Sequence, residues 1–267
     1  MIDLTAGTGL IRTSDHRYYW NEVGPLPGVT TVQGVLDKSG PLMAWAAKQV
    51  ATAAVADAYK TAWAKQGGAS DEALVRTLAR LPEKQRDAAA DLGTQVHYYA
   101  EQVGLGKHPT IPVEAWPFLR QYLDWVENWE HEVIAVEYMG VNLTHRYGGT
   151  GDLIVRRKGE TWLLDIKTGR YYPETALQLV ACAEFEFTGK PNDPTPHLMP
   201  PIDRFGVLDL KPDGWKVVPY RFHREQTFEA FTHLCEVYHW KQGFKGVLQA
   251  PIEGHATDEG ESDDDAA

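Results

Sequence analysis

Two apolar, β-branched runs, Thr150–Arg156 and Glu160–Lys167, stand on either side of Arg157-Lys158-Gly159-Glu160. This pattern predicts a β-hairpin turning at the glycine. Both runs are rich in Leu, Ile, Val and Trp, which marks them as central rather than edge strands. Upstream, Arg17–Glu22 reads as extended, Gly24-Pro25-Leu26-Pro27-Gly28 as a turn and Val29–Val32 as a further strand. Lys38-Ser39-Gly40-Pro41 reads as a helix start, with Ser39 as N-cap and Pro41 in the first turn. The helix it opens runs Ala-rich from Leu42 to Ala64, Gly67-Gly68 breaks it, and Ser70 starts the next one. Helical signals cover Leu74–Leu81 and, after Pro82, Glu83–Val103, ended by Gly104, Gly106 and Pro109.

Pro112–Glu130 is another predicted helix. Its aromatics (Trp116, Phe118, Tyr122, Trp125, Trp129) recur at three- and four-residue spacing, as core residues do. Val133–Asn142 reads as a strand leading into the hairpin, and Glu174–Phe187 as a helix behind Pro173. A Pro-rich loop, Gly189–Pro201, precedes a second hairpin, Arg204–Leu210 and Trp215–Arg221, around Pro212-Asp213-Gly214. Arg224–Phe244 is the closing helix, and residues 252–267 read as disordered by composition. The order of elements predicts a mixed α/β layout around one sheet.

A pairing symmetric about the 158/159 bond sets Asp152 opposite Asp165, Ile154 opposite Leu163 and Arg156 opposite Thr161. Facing side chains lie about 4.5–5.5 Å apart at Cβ, where like charges repel. Lys167 points to the same face as Asp165. The pattern therefore expects something cationic between two acids. Gly148, Gly149 and Gly151, just ahead of Asp152, read as room for close approach by a ligand. Taken singly, an Asp at a strand end and a D-x-K are more often a solvated edge or a surface ion pair than a site, and a lone helical His97 is more often packed than ligating.

Composition narrows the picture. Hydrophobic residues make up 43% of the 267, with nine Trp and twelve Tyr, so the chain is globular. Cys182 and Cys235 match no C-x-x-C pattern, so neither a disulfide framework nor a cysteine zinc site is expected, and a reducing compartment fits. No signal-peptide layout opens the sequence, and Lys48, Asp57 and Lys60 interrupt Met43–Ala64, so no membrane partner is expected and the cytoplasm is the default. Net charge is −11, but residues 252–267 carry seven acids and no Lys or Arg. Residues 1–251 hold 26 basic against 30 acidic side chains, a balance of −4 that neither favours nor excludes a nucleic acid.

Four motifs in order, G-T-x-x-H (Gly93, Thr94, His97), G-x-x-D (Gly149 to Asp152), D-x-K (Asp165, Ile166, Lys167) and Q-L (Gln178, Leu179), resemble the PD-(D/E)XK nuclease superfamily. The likeness is to its RecB-like phage exonuclease branch and covers about residues 88–185. The segment from Val29-Thr30-Thr31 to Trp45-Ala46-Ala47 is similar to the entry segment of such enzymes. The resemblance implies a restriction-endonuclease-like mixed β-sheet core flanked by helices. It implies a single nuclease domain over 1–251, with a helical region at about 36–130 and a catalytic α/β core at about 84–245. It implies that His97, Asp152, Asp165 and the Ile166 carbonyl ligate one or two Mg²⁺ or Mn²⁺ ions, that Lys167 handles the attacking water, and that Gln178 positions Lys167 or the water. Two cysteines leave no four-cysteine iron–sulfur cluster. Cys182 stands where the family often has Tyr.

DNA with a free end is the implied partner, with a single-strand annealing protein beside it and the bacterial host cytoplasm as the setting. A catalytically quiet DNA-binding subunit and a structure-specific endonuclease are the alternatives. Tyr171 and Tyr172 are candidates for stacking on a base or for packing under the next helix. Arg146, Arg156, Arg157, Lys158 and Arg170 are candidates for phosphate contacts or for a solvated tip. The helices of residues 42–90 are expected to cover the cleft.

Overall fold

The computed structural model describes residues 10–14, 17–20, 23–56, 65–68, 70–189, 197–244 and 247. A small antiparallel sheet comes first: β1 (Leu10–Arg12), β2 (Tyr18–Trp20) and β3 (Val23–Leu26). Helices α1 (Val29–Gln33), α2 (Ser39–Ala56), α3 (Asp71–Ala79), α4 (Leu81–Gly104) and α5 (Trp116–Asn128) follow. Then come β4 (Glu132–Asn142), β5 (Tyr147–Arg157), β6 (Glu160–Lys167), α6 (Thr175–Ala183), β7 (Phe187–Gly189), β8 (Arg204–Lys211), β9 (Gly214–Tyr220) and α7 (Arg224–Gly243). The result is a mixed α/β fold.

The six-stranded sheet has the order β7-β4-β5-β6-β8-β9. β6 and β8 run parallel, and the other neighbours run antiparallel. The β5–β6 hairpin turns at Lys158 and Gly159, both at positive φ (50° and 83°), as a two-residue turn matched to strand twist requires. Ile154 pairs with Leu163 and Arg156 with Thr161, the register expected from the sequence.

Alternation along β5 and β6 divides two cores. Leu153, Val155, Leu164 and Ile166 pack under α4 and α5 with Val96, Tyr122 and Trp125. Ile154 and Leu163 pack on the opposite face with α1, α6 and α7, around Val32, Leu179 and Phe231. Each large side chain fully buried here contributes about 1.5–3 kcal/mol of transfer free energy. The expected core role of the α5 aromatics holds for Tyr122 and Trp125, whereas Trp116 is exposed.

Several elements depart from expectation. Gly24-Pro25-Leu26 lies within strand β3 rather than in a turn. Val29–Val32 is helical, not extended. Its β-branched residues cost at most about 0.7 kcal/mol each in helix propensity. A helix turn nonetheless points both Val29 and Val32 into the core beside α6 and α7, and that burial outweighs the loss. The first N–H of α2 is satisfied by Asp37, whose Oδ1 accepts from Ser39 N at 2.8 Å, so Ser39 is not the cap. Ser70 does cap α3, accepting from Ala73 N at 3.2 Å. Helix α6 stops at Ala183 because Phe187 joins β7, pairs with Val141 and stacks on Trp20 at 5.1 Å. The expected strand over 21–22, the helix over 57–64, residues 190–196 of the Pro-rich loop and the 252–267 tail lie outside the described residues. Among the described residues no helix is long and apolar enough to cross a membrane.

The glycines before Asp152 serve the chain itself. A Cβ on Gly148 would lie 2.5 Å from Tyr18, on Gly149 2.8 Å from Val29, and on Gly151 2.3 Å from Tyr138. Side chains of this protein, not a ligand, take the space those glycines leave.

Candidate metal centre

The site forms where both neighbours of β5 lose regular pairing. The β5–β6 ladder runs from Arg157–Glu160 to Leu153–Leu164 and then gives way. Beyond it, the Asp152 side chain replaces a backbone acceptor, and its Oδ2 takes the N–H of Ile166 at 2.6 Å. On the other side, Val136 pairs with Leu153 and Tyr138 with Gly151. Val136 and Leu153 face α4 and α5, whereas Tyr138 and Gly151 meet on the opposite face. Strict alternation would keep positions two apart on one face. The break falls at Glu137 and Asp152, and Glu137 carries it with φ at 45°.

Helix α4 brings His97 to this break. Its Nε2 lies 2.9 Å from the Ile166 carbonyl, and its Nδ1 lies 3.4 Å from both Glu137 Oε1 and Asp152 Oδ1. The ligand atoms of His97, Glu137 and Asp152 all fall within 4.8 Å of one another, close enough to hold one metal ion. Asp165 is buried beside them. Its Oδ1 accepts from Gln178 Nε2 at 2.7 Å, and its Oδ2 faces Lys167 Nζ at 2.7 Å.

The electrostatics follow from crowding acids into a dry place. Burial and the neighbouring Asp152 push the Asp165 carboxyl up to about 6, with Lys167 opposing. Burial pushes Asp152 the same way, but His97, Lys167 and the Ile166 N–H outweigh it and hold it below the usual range. Burial disfavours a charged His97, yet Asp152 and Glu137 overcome that and raise it well above its ordinary value. Burial lowers Lys167 and the two aspartates more than restore it. Burial raises Glu137, with His97 opposing.

The structure thus brings together His97, Asp152, Asp165, the Ile166 carbonyl, Lys167 and Gln178. Glu137 was missed, although it is the one acid inside the apolar run Val133–Val141, which is a readable signal. Cys182 is buried with Sγ 3.9 Å from the Thr150 carbonyl, and it leaves the Gln178–Asp165 bond intact.

The candidate contact residues fare differently. Tyr171 and Tyr172 are 36% and 55% exposed, and Tyr172 engages only through its backbone, its carbonyl accepting from Tyr220 Oη at 2.8 Å. Arg146 is exposed in the β4–β5 turn and Arg170 just past β6, and neither meets the acids. Arg156 faces Glu132 at 3.5 Å, and Arg157 lies over the Trp129 ring at 4.9 Å. These two and Lys158 sit at the far end of the hairpin, about 13–20 Å along the strand from Asp152.

A cavity of about 570 Å³ opens beside the centre. Gly93, Thr94, His97 and Tyr98 of α4 line one side, and Thr30 of α1 and Thr150 of β5 the other. Neither Tyr171 nor Tyr172 lines it, and among the described residues of 42–90 only Ala90 does, so α2 and α3 do not cover it as expected. The chain matches no protein-family model and no curated protein at a significant level.

Proposed function

We propose that this chain is a divalent-metal-dependent nuclease that hydrolyses phosphodiester bonds of DNA from an end, on a core of the restriction-endonuclease type. The observation that carries the reading is the Asp165–Lys167 pair, 2.7 Å apart, beside the His97, Glu137 and Asp152 cluster. A bare structural ion pair has no need of two further acids and an imidazole within reach.

In this reading His97, Glu137, Asp152, Asp165 and the Ile166 carbonyl hold the ion. Oxygen donors with one imidazole suit Mg²⁺ or Mn²⁺. Such an ion, when bound, lowers the pKa of water and neutralises charge developing on the phosphate. Lys167 directs its ammonium at the attacking water and the phosphate oxygens. Asp165 keeps that ammonium charged and in place, and Gln178 fixes the Asp165 carboxylate in one orientation. Resection of phage DNA beside a single-strand annealing protein is the setting the motif resemblance implies.

End-labelled single and double strands with Mg²⁺ or Mn²⁺, and EDTA controls, test the proposal. Asp165→Ala is expected to abolish cleavage while retaining most strand binding. Lys167→Ala is expected to lower turnover by about 10²-fold or more with little change in metal affinity. Equal cleavage by wild type and Asp165→Ala removes the assignment. Digestion of closed single-stranded circles at the linear rate removes the requirement for an end.

A further inference from the structure

The cavity is lined by His97 and Glu137 of the metal cluster and by Gln178, the partner of Asp165. Helix α4 presents Tyr98 to the same cavity and, one turn on, Glu101, and Arg12 lines it too. A nucleotide whose phosphate reaches the cluster through this cavity shares it with the Tyr98 ring. Tyr98 is 52% exposed, an unusual waste of aromatic surface for a mid-helix residue facing a concave wall. Its ring is braced rather than loose, meeting Tyr99 edge-on at 5.1 Å and 76°. Tyr99 in turn packs against the α4–α5 core. A fixed, exposed aromatic face serves every base equally, because each has a π-face. Tyr18, Thr30 and Thr150 line the same cavity, with Tyr18 Oη 3.0 Å from Thr150 Oγ1.

We propose that Tyr98 is the platform on which the terminal unpaired base of the substrate strand stacks, setting the depth to which the strand enters and hence which phosphate reaches Lys167. The inference rests on the nuclease reading and adds a base-binding subsite that Tyr171 and Tyr172 do not provide. A terminal base has one face free for such stacking, and it reaches the ring when its strand enters the cavity unpaired.

The test is a cycle of protein and substrate changes. Strands that end in a normal nucleotide are compared with strands ending in an abasic one, for wild type, Tyr98→Phe, Tyr98→Trp and Tyr98→Ala. Wild type is expected to prefer the intact end about 5- to 150-fold in kcat/KM. Phe and Trp keep that preference, and Ala loses it without further loss on the abasic strand. A merely structural role for Tyr98 would lower both substrates alike. Cleavage by Tyr98→Ala with the wild-type preference overturns the inference and leaves the nuclease reading standing. Absence of cleavage by wild type on either strand overturns both.

Discussion

Glu137 is held at φ 45° in the middle of a strand, a conformation that costs an L-residue about 1–2 kcal/mol. It also adds a carboxylate next to Asp152 and Glu101, whose repulsion works against ionising it. Both effects oppose folding, and strain kept at one residue is a mark of function. Glu137→Gly is therefore expected to melt no lower than wild type without metal, yet to lose most of the rise in melting temperature that Mn²⁺ gives. Differential scanning calorimetry with and without Mn²⁺ decides it. A variant that melts well below wild type and keeps the full metal effect would show that Glu137 is structural only. At this scale much of the site was legible. Asp165 and Lys167 follow from a two-residue turn and period-two alternation, but the expected Asp152–Asp165 pair is not in the ladder, which ends at Leu153–Leu164 as Asp152 takes the Ile166 N–H instead. Glu137 leaves one signal, a lone acid in the apolar run Val133–Val141, but nothing local announces the left-handed backbone at which alternation fails. The three glycines before Asp152 misled for a related reason: what fills their space comes from elements far away in sequence, Tyr18 among them.

Elements fixed by near neighbours were readable, and those fixed by distant contacts were not. The hairpins β5–β6 and β8–β9 carry turn glycines and alternating strands, so their position and register were plain. Helix α1 was read as a strand because Val29-Thr30-Thr31-Val32 is β-branched throughout, and only burial against α6 and α7 reverses that preference. Strand β7 goes unread, with Phe187 taken as a helix end and Gly189 as a loop start, because its reason to be extended, pairing with β4, lies over forty residues upstream. Between α6 and β7, Glu186 turns back to accept the N–H groups of Leu143 and Thr144, each at 3.1 Å, and so fastens the β4–β5 turn. Burial pushes this carboxyl up, but the Thr144 hydroxyl and N–H, the Leu143 N–H and His145 together outweigh it and leave it below its ordinary value. A depressed folded value means the stabilisation is present above the unfolded carboxyl range and lost as pH falls through the folded one. Glu186→Gln is thus expected to be less stable than wild type at pH 7, by on the order of 0.5 kcal/mol after allowing for solvent screening. The gap should close as pH falls through the folded carboxyl's range in urea titrations. A gap of constant size across that range would assign the effect to shape instead of charge.

Across the whole molecule, the centre draws on α4, β4, β5, β6 and α6, so an ion there ties both helical layers to the sheet. Binding to the folded state alone stabilises by about 2.7 kcal/mol at a hundredfold excess over Kd. In a protein of this size that raises Tm by about 5–11 °C. Thermal melts with Mg²⁺ or Mn²⁺ and reversal by EDTA measure it, and an unchanged Tm at millimolar metal would argue against a resident ion. The mixed sheet was legible as a class from the order of elements, but its parallel β6–β8 join was not, because 36 residues separate the two strands and none of them encodes direction. That join leaves β6 with a neighbour on each side and places the Ile166 amide deep inside the sheet, its proton committed to the Asp152 carboxylate. Its deuterium exchange therefore times the opening of the β5–β6 junction at the centre. Its NMR frequency follows the charge on one side chain, so a single nitrogen-15 label at Ile166 reads out fold and centre at once.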